Sequence, residues 1–374
     1  MSSQPGDLRL ANARRVLTVA LHDWPCTKPE LARRTGLSQM TIGKVVEELL
    51  GLGLLERAPD PPVAAHGRPA ARVRPRTRPA FVGIEIGVRT TVLYCFGLAG
   101  EPDPPRRKLL PMPSGLDPLR AELRAFRREF CPDPIETVLV AVPGVLDVVT
   151  PSIVYSANLH WSEGTALLTA LGEEFDATVC PVQEAQALAL GHLATREGAD
   201  SFLLVDLGDG IGSTIVSEGR LLGGPLPLSG EIGHTAVPGN DRRCGCGAIG
   251  CIETLAGRGG LLTTFRRDSG KSQADWSTMK AALEDADLPG WLDETLDSLA
   301  MVVAGALNLL GFAEVVFCGD LAQLHPRVMP HLQERIRQHS LLGRFGELQA
   351  RGAPVQRQLG LLAAAVERVL LAER

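Results

Sequence analysis

The most informative stretch of the sequence is rich in cysteine: Gly230-Glu231-Ile232-Gly233-His234, then, ten positions after the histidine, Cys244-Gly-Cys246-Gly-Ala-Ile-Gly-Cys251-Ile-Glu253. Three thiolates and one imidazole are a donor set that tetrahedral zinc takes in closed structural sites. The glycines between the cysteines let the backbone fold tightly enough for three sulfurs to face one point. The pattern therefore predicts a metal site at His234, Cys244, Cys246 and Cys251. Spacing alone leaves two alternatives, a disulfide pair or scattered buried thiols.

Two carboxylates bracket this metal loop. Glu231 precedes the histidine and Glu253 follows the last cysteine. Four donors already fill a tetrahedral site, so both carboxylates are available to accept hydrogen bonds from a polyhydroxylated ligand.

The segment 205–253 resembles the signature of the ROK family, which comprises repressors, open reading frames and sugar kinases. Its glycine turns, Glu-x-x-His pair, cysteines and Cys-x-Glu ending occur in the order of the family signature, without a gap. The resemblance extends from about Asn12 to the C-terminus. It implies structural Zn²⁺ at the four donors. It also implies a two-lobed, actin-like sugar-kinase body, which is an α/β architecture.

Length and composition limit the other possibilities. A chain of 374 residues is long enough for two or three domains. It has no apolar run of ~18 residues and no basic-then-apolar leader, so we expect a cytoplasmic protein without a membrane partner. The cysteines outside the metal loop are scattered, which fits free thiols in a reducing compartment.

Charge is distributed unevenly along the chain. Residues 1–79 carry 13 Lys and Arg against 7 Asp and Glu, a balance of +6. Because the whole chain has a formal charge of −5, the remainder is at −11. A basic N-terminal module on an acidic body indicates that only the first part contacts nucleic acid.

The N-terminal segment has the pattern of a helix-turn-helix. Helices are predicted at 12–22, 28–34 and 39–50: Thr27 and Glu30 form a capping box, Gly36 makes the turn, and Ser38 caps the third helix. In this arrangement the last helix enters the major groove. The residues expected at the DNA are Arg33, Arg34, Ser38, Gln39, Met40, Thr41 and Lys44. Helix patterns alone equally allow a three-helix bundle that binds protein.

A strand-loop-strand pattern follows the helices. Strands are expected at 54–57 and 72–74, joined by a proline-rich loop that contains His66-Gly67-Arg68-Pro69. This pattern is typical of the wing of a winged helix-turn-helix, whose tip residue Arg68 would reach the minor groove. Similar sequences occur at these places in ROK repressors, whereas ROK sugar kinases begin without the module.

The remaining sequence alternates between strand and helix patterns. Strands are expected at 81–87, 90–95, 137–142, 201–206, 212–216 and 315–318, with helices at 118–130, 296–310 and 359–373. We therefore predict a DNA-binding domain at 1–75, a linker at 76–80, a first lobe at 81–185 with 358–374, and a second lobe with the zinc loop at 186–357.

The positions that bind nucleotide in ROK kinases are altered here. Glu85-Ile86-Gly87-Val88-Arg89 replaces the Asp-x-Gly-Gly-Thr loop, Asp209 replaces a threonine, and Gly319-Asp320-Leu321 replaces a Gly-Gly-Gly turn. Glu184, in Gln183-Glu184-Ala185-Gln186, replaces the catalytic aspartate, and its extra methylene moves the carboxylate by roughly 1 Å or more. We expect no catalytic residues.

The sugar-contacting positions of the family are better retained. The resemblance places Asn158, Gln183, Glu184, Glu231, His234 and Glu253 in an effector pocket. It also implies that His234 holds zinc through one nitrogen while its other edge faces the ligand. The alternative is that these groups only brace the zinc loop and the lobe interface.

Together these features predict a homodimeric or homotetrameric transcriptional regulator, most simply a repressor. It would bind an inverted-repeat operator in double-stranded DNA and respond to a sugar or sugar derivative. Two alternatives stay open: an active sugar kinase, or a regulator whose body senses a non-sugar metabolite or a protein partner.

Overall fold

The computed structural model describes residues 5–59, 71–100, 105–147, 150–195, 199–222, 228–284 and 287–371. The predicted wing tip, with Arg68, lies outside these ranges. No helix in the described ranges is both long and apolar enough to cross a membrane.

The N-terminal part consists of three helices and a small sheet. Its elements are α1 (Pro5–His22), β1 (Cys26–Thr27), α2 (Lys28–Thr35), α3 (Gln39–Gly51), β2 (Leu55–Arg57) and β3 (Arg72–Pro75). The antiparallel strands lie in the order β1-β3-β2. The predicted helices and wing strands are present, but α1 begins seven residues before the expected Asn12, because Leu10 also packs against the core.

The first sheet of the body has five strands in the order β10-β7-β4-β5-β6. This half comprises β4 (Phe81–Ile86), β5 (Thr90–Phe96), β6 (Arg106–Pro111), α4 (Leu116–Phe130), β7 (Thr137–Val142), β8 (Val145–Asp147), β9 (Ser152–Tyr155), α5 (Ala166–Phe175), β10 (Thr178–Gln183) and α6 (Glu184–Thr195). The predicted hairpin is β4 and β5. β7 is buried on both faces and therefore reads as an unbroken apolar run.

The second sheet has the order β13-β12-β11-β14-β15. Its half comprises β11 (Phe202–Leu207), β12 (Ile211–Ser217), β13 (Arg220–Leu221), α7 (Glu253–Ala256), α8 (Arg258–Ser269), α9 (Trp276–Leu283), α10 (Gly290–Leu310), β14 (Glu314–Cys318), α11 (Val328–His339), α12 (Leu341–Phe345), β15 (Gln349–Gly352) and α13 (Arg357–Leu371). Helix α10 begins six residues before the expected start, because Leu292 and Thr295 continue its buried face.

Helices α6 and α13 pack closely against each other. A Cβ on Gly360 would lie 1.7 Å from the Ala187 carbonyl oxygen, and one on Gly191 would lie 2.1 Å from the Gln356 carbonyl oxygen. Only glycine permits this approach. The two helices therefore form one tightly packed pair.

A hydrophobic core joins the N-terminal helices to the body. Val16 and Leu17 of α1 belong to the same contiguous core as Phe96 of β5 and Leu361 and Ala365 of α13. The N-terminal part thus rests on the first sheet and on α13. The domain boundaries drawn from the sequence remain predictions.

Candidate effector cleft and metal cluster

The structure brings the four predicted metal ligands together. One donor atom from each of His234, Cys244, Cys246 and Cys251 lies within 4.8 Å of every other. Cys246 Sγ is 3.7 Å from Cys251 Sγ, and Cys244 Sγ is 3.5 Å from His234 Nδ1. Sulfurs around tetrahedral zinc, with Zn–S bonds of about 2.3 Å, are separated by about 3.8 Å. The cluster therefore fits a metal, and the distance between Cys246 and Cys251 is far too long for a disulfide.

Two residues that the sequence analysis missed hold the metal loop in place. Asn240 Nδ2 donates to the Cys251 carbonyl oxygen at 3.0 Å. The Arg242 guanidinium donates to the carbonyl oxygen of Thr254 at 2.6 Å and to Thr264 Oγ1 at 2.7 Å. A polar residue in a glycine-rich loop carries no sequence signal for such a role.

All six predicted effector residues line one cavity of about 280 Å³ between the two sheets. Glu253 Oε2 accepts a hydrogen bond from the Ile211 amide at 2.9 Å. A Cβ on Gly210 would lie 2.7 Å from the same oxygen, so the glycine turn must pass directly over this carboxylate. Asn158 also lies beside this turn.

His234 connects the metal cluster to the cavity. Its Nδ1 faces Cys244, whereas its Nε2 lies 3.7 Å from Glu231 Oε2. Burial raises the pKa of Glu231 above its ordinary value. The imidazole is thus placed between a thiol cluster on one side and a half-buried carboxylate on the other.

The catalytic-base position is held in an ion pair. Glu184 begins α6, and its carboxylate lies 2.6 Å from Arg357 Nη2 at the start of α13. Gln183 Nε2 donates to the Gly144 carbonyl oxygen at 2.9 Å. Arg357 also lies 3.4 Å from Asp206 Oδ2. Arg357 could not be predicted as a partner of Glu184 from the sequence, because it lies 173 positions away in the chain.

Ion pairs also fill the part of the cleft where the resemblance places the nucleotide phosphates. Arg89 Nε is 2.7 Å from Asp209 Oδ1, and Arg89 Nη2 is 3.3 Å from Asp320 Oδ2. Arg258, which the sequence analysis did not single out, contacts Asp320 as well and lies 4.2 Å from the centroid of the Trp276 ring. The pairs join the β4–β5 turn to the second sheet.

The predicted DNA-contacting residues lie together around the start of α3. Ser38 Oγ accepts from the Thr41 amide at 3.1 Å, and the capping box of Thr27 and Glu30 forms as expected. Arg33, Arg34, Ser38, Gln39, Met40 and Lys44 are exposed, and Thr41 is half-buried. Arg34 Nη2 lies 2.6 Å from Asp23 Oδ2, so this guanidinium already has an ion-pair partner within the protein.

Fold and site together define a class of protein: a winged helix-turn-helix joined to a two-lobed, actin-like sugar-kinase body with a Cys₃His cluster. The sequence model of the ROK family matches residues 81–366, and the chain belongs to this family.

Relatives of similar length are transcriptional regulators. The N-acetylglucosamine repressor of Escherichia coli O157:H7 is 23% identical over 337 residues, covering 85% of this chain and 82% of the repressor. The xylose repressor of Caldicellulosiruptor bescii is 23% identical over 368 residues, covering 91% of each. The crystal structure of a ROK family transcriptional regulator, a homolog of the E. coli MLC protein, has a TM-score of 0.76 at 20% identity over 98% of both chains. Solved ROK sugar kinases share the fold of the body.

Proposed function

We propose that this protein is a transcriptional regulator, most simply a repressor. Its winged helix-turn-helix binds operator DNA, and a sugar or sugar derivative in the cleft controls that binding. One observation carries the proposal: the side chains predicted to bind sugar hydroxyls line a cavity, while the residues at the expected phosphate and base positions form internal ion pairs. A site of this kind binds without transferring phosphate.

The alternative of an active sugar kinase is disfavoured by the same contacts. A catalytic carboxylate must be within reach of the substrate hydroxyl and free to take its proton. Here Glu184 is paired with Arg357. Asp209 and Asp320 add negative charge where nucleotide phosphates would lie. ATP consumption with any hexose would support the kinase.

The chemistry of the metal cluster favours structural Zn²⁺. When bound, the ion would cross-link the loop through His234, Cys244, Cys246 and Cys251. The loop then holds the Nε2 edge of His234 toward Glu231 and the cavity. The metal would thereby stabilise the shape of the effector site.

Helix α13 offers a path from the cleft to the DNA-binding part. Its first residue, Arg357, pairs with Glu184 and Asp206 in the cleft. Near its other end, Glu367 forms a double ion pair with Arg14 of α1. A ligand that moves Arg357 would shift α13 together with α6 and alter the position of α1.

Operator geometry follows from symmetry. A homodimer or homotetramer places two helix-turn-helix modules on successive major grooves, so we expect an inverted-repeat operator. The relatives named N-acetylglucosamine repressor and xylose repressor support a sugar as effector. Operator binding that no sugar affects would instead favour a body that senses another metabolite or a protein partner.

The DNA-binding proposal is tested by selecting operators from a random duplex pool with the purified full chain. Fluorescence anisotropy on the selected duplex should show that Lys44→Ala weakens binding by about tenfold, because a cation at the groove is lost. Lys280→Ala, an exposed lysine of α9, should bind like the unaltered protein. Failure to enrich any sequence, or equal loss in both variants, would overturn the proposal.

A further inference from the structure

Met40 is an apolar side chain that the fold leaves in solvent. At 75% it is the most exposed large apolar residue of the N-terminal part within the described ranges. It is the second residue of α3, after Gln39, in a helix that Ser38 caps. The apolar side chains that follow it, Ile42 and Val45, are buried in the core. Packing within the chain therefore accounts for those two residues and not for Met40.

Gly43 lies one turn after Met40 on the same face of α3. Among the described residues, a Cβ placed on Gly43 would meet no atom within 4 Å, and its φ lies outside the left-handed region. Neither crowding nor backbone conformation therefore requires glycine here, although glycine inside a helix is less favourable than alanine. The bare surface that it leaves suits the close approach of a ligand to the helix backbone.

The charges of α3 are compatible with a polyanion. Its two carboxylates already have cationic partners, because Glu47 Oε1 lies 2.8 Å from Lys28 Nζ and Glu48 Oε1 lies 2.7 Å from Arg9 Nη2. Lys44 is exposed on the same side of the helix as the open glycine. A DNA duplex can therefore approach this face without meeting unpaired negative charge from α3.

We propose that Met40 reads the 5-methyl group of a thymine in each operator half-site, and that Gly43 lets α3 lie deep enough in the major groove for this contact. The thymine methyl is the one apolar group that the base pairs present there, beside hydrogen-bond donors and acceptors. A thioether has no donor for guanine or adenine, and its unbranched chain adapts to an apolar contact. The first residues of a recognition helix are those that contact base edges. This inference rests on the proposed function, because it names the base that the same DNA-binding face reads.

Replacing thymine by deoxyuridine isolates the proposed contact, because it removes the methyl group and keeps the base pair. In the duplex selected with the full chain, each thymine of one half-site is replaced in turn, and the Kd is measured by fluorescence anisotropy. At one position the unaltered protein should lose about fourfold in affinity, which corresponds to one buried methyl group. Met40→Gln should bind the thymine and deoxyuridine duplexes equally. Met301→Gln, at an exposed methionine of α10, should keep the fourfold difference.

Two glycine variants test the close approach of α3. Gly43→Ala should raise the thermal unfolding temperature and yet weaken operator binding by about fivefold, because the added methyl holds the helix away from the bases. Gly51→Ala is the matched control, since it lies at the other end of α3 and is equally open. It should raise the unfolding temperature and leave the affinity unchanged. A more stable protein that binds more weakly cannot result from misfolding.

Three results would overturn the inference: a selected duplex in which no thymine methyl affects binding, a Met40→Gln protein that keeps the fourfold difference, or a Gly43→Ala protein with unchanged affinity. Each of them leaves the proposed function standing, because the unaltered protein still binds its selected duplex. Failure to select any duplex would overturn both.

Discussion

At the scale of single residues, side-chain contacts organise the site, and several of them join residues that are distant in the sequence. His234 faces a thiol through one ring nitrogen and a carboxylate through the other. Arg357 ties Glu184, at the base position, to Asp206 of the neighbouring strand. Each of these side chains belongs at once to the metal or ion-pair framework and to the cavity lining. A substitution at one of these residues should therefore alter both the framework and the lining of the cavity.

The metal cluster gives the residue-scale prediction. Cys246→Ser should remove one thiolate and lower zinc content from about one per chain to near zero, with a loss of stability of roughly 3 kcal/mol or more. The measurements are metal analysis and thermal unfolding, with Cys318→Ser, a buried cysteine outside the loop, as the control. Full zinc occupancy in Cys246→Ser would show that the sulfur is not a ligand.

At the scale of elements, α13 is the helix that we propose couples the cleft to the N-terminal helices. It runs from the cleft at Arg357 to α1 at Glu367, and glycine contacts hold it against α6, which itself begins at Glu184. Charge reversal at the far end tests this connection. Arg14→Glu should reduce the effect of ligand on operator affinity by about fivefold, because it replaces attraction with repulsion.

The compensating exchange is the control for that prediction. Arg14→Glu combined with Glu367→Arg recreates the ion pair and should restore most of the ligand effect. Lys108→Glu reverses an ion pair with Glu122 on the body and should leave the effect unchanged. A ligand response that survives Arg14→Glu intact would place the coupling in another element.

Elements with strong local patterns were predictable from sequence, and long-range pairs were not. The capping box at Thr27, the β4–β5 hairpin and the strand β7 follow from local chemistry. Strand β6 was not predicted because three consecutive basic residues are followed by Leu109, Leu110 and Pro111, a sequence that lacks the alternation typical of a half-buried strand. The four candidate metal ligands lie in one short loop and were predicted, whereas Arg258 and Arg357 join the cleft only through tertiary folding.

At the scale of the whole molecule, the protein keeps the cleft of a kinase but has ion pairs where the phosphates would lie. Arg89 reaches from the first sheet to Asp209 and Asp320 on the second-sheet side, so the halves are joined without nucleotide. Exposed pairs of this kind are individually weak, worth about 0–1 kcal/mol each. We therefore propose that a ligand that contacts both halves resets their spacing and, through α13, the spacing of the DNA-binding modules in an oligomer.

The most direct test of this account measures operator affinity of the full chain with and without sugars. In anisotropy titrations against the selected operator, at least one hexose or amino hexose should change the Kd by about tenfold, within the usual range of allosteric coupling. Glu231→Ala should bind the operator normally without sugar and lose the response. Tight operator binding that no sugar changes, in zinc-loaded protein, would contradict the claim that the cleft is a sugar-controlled switch.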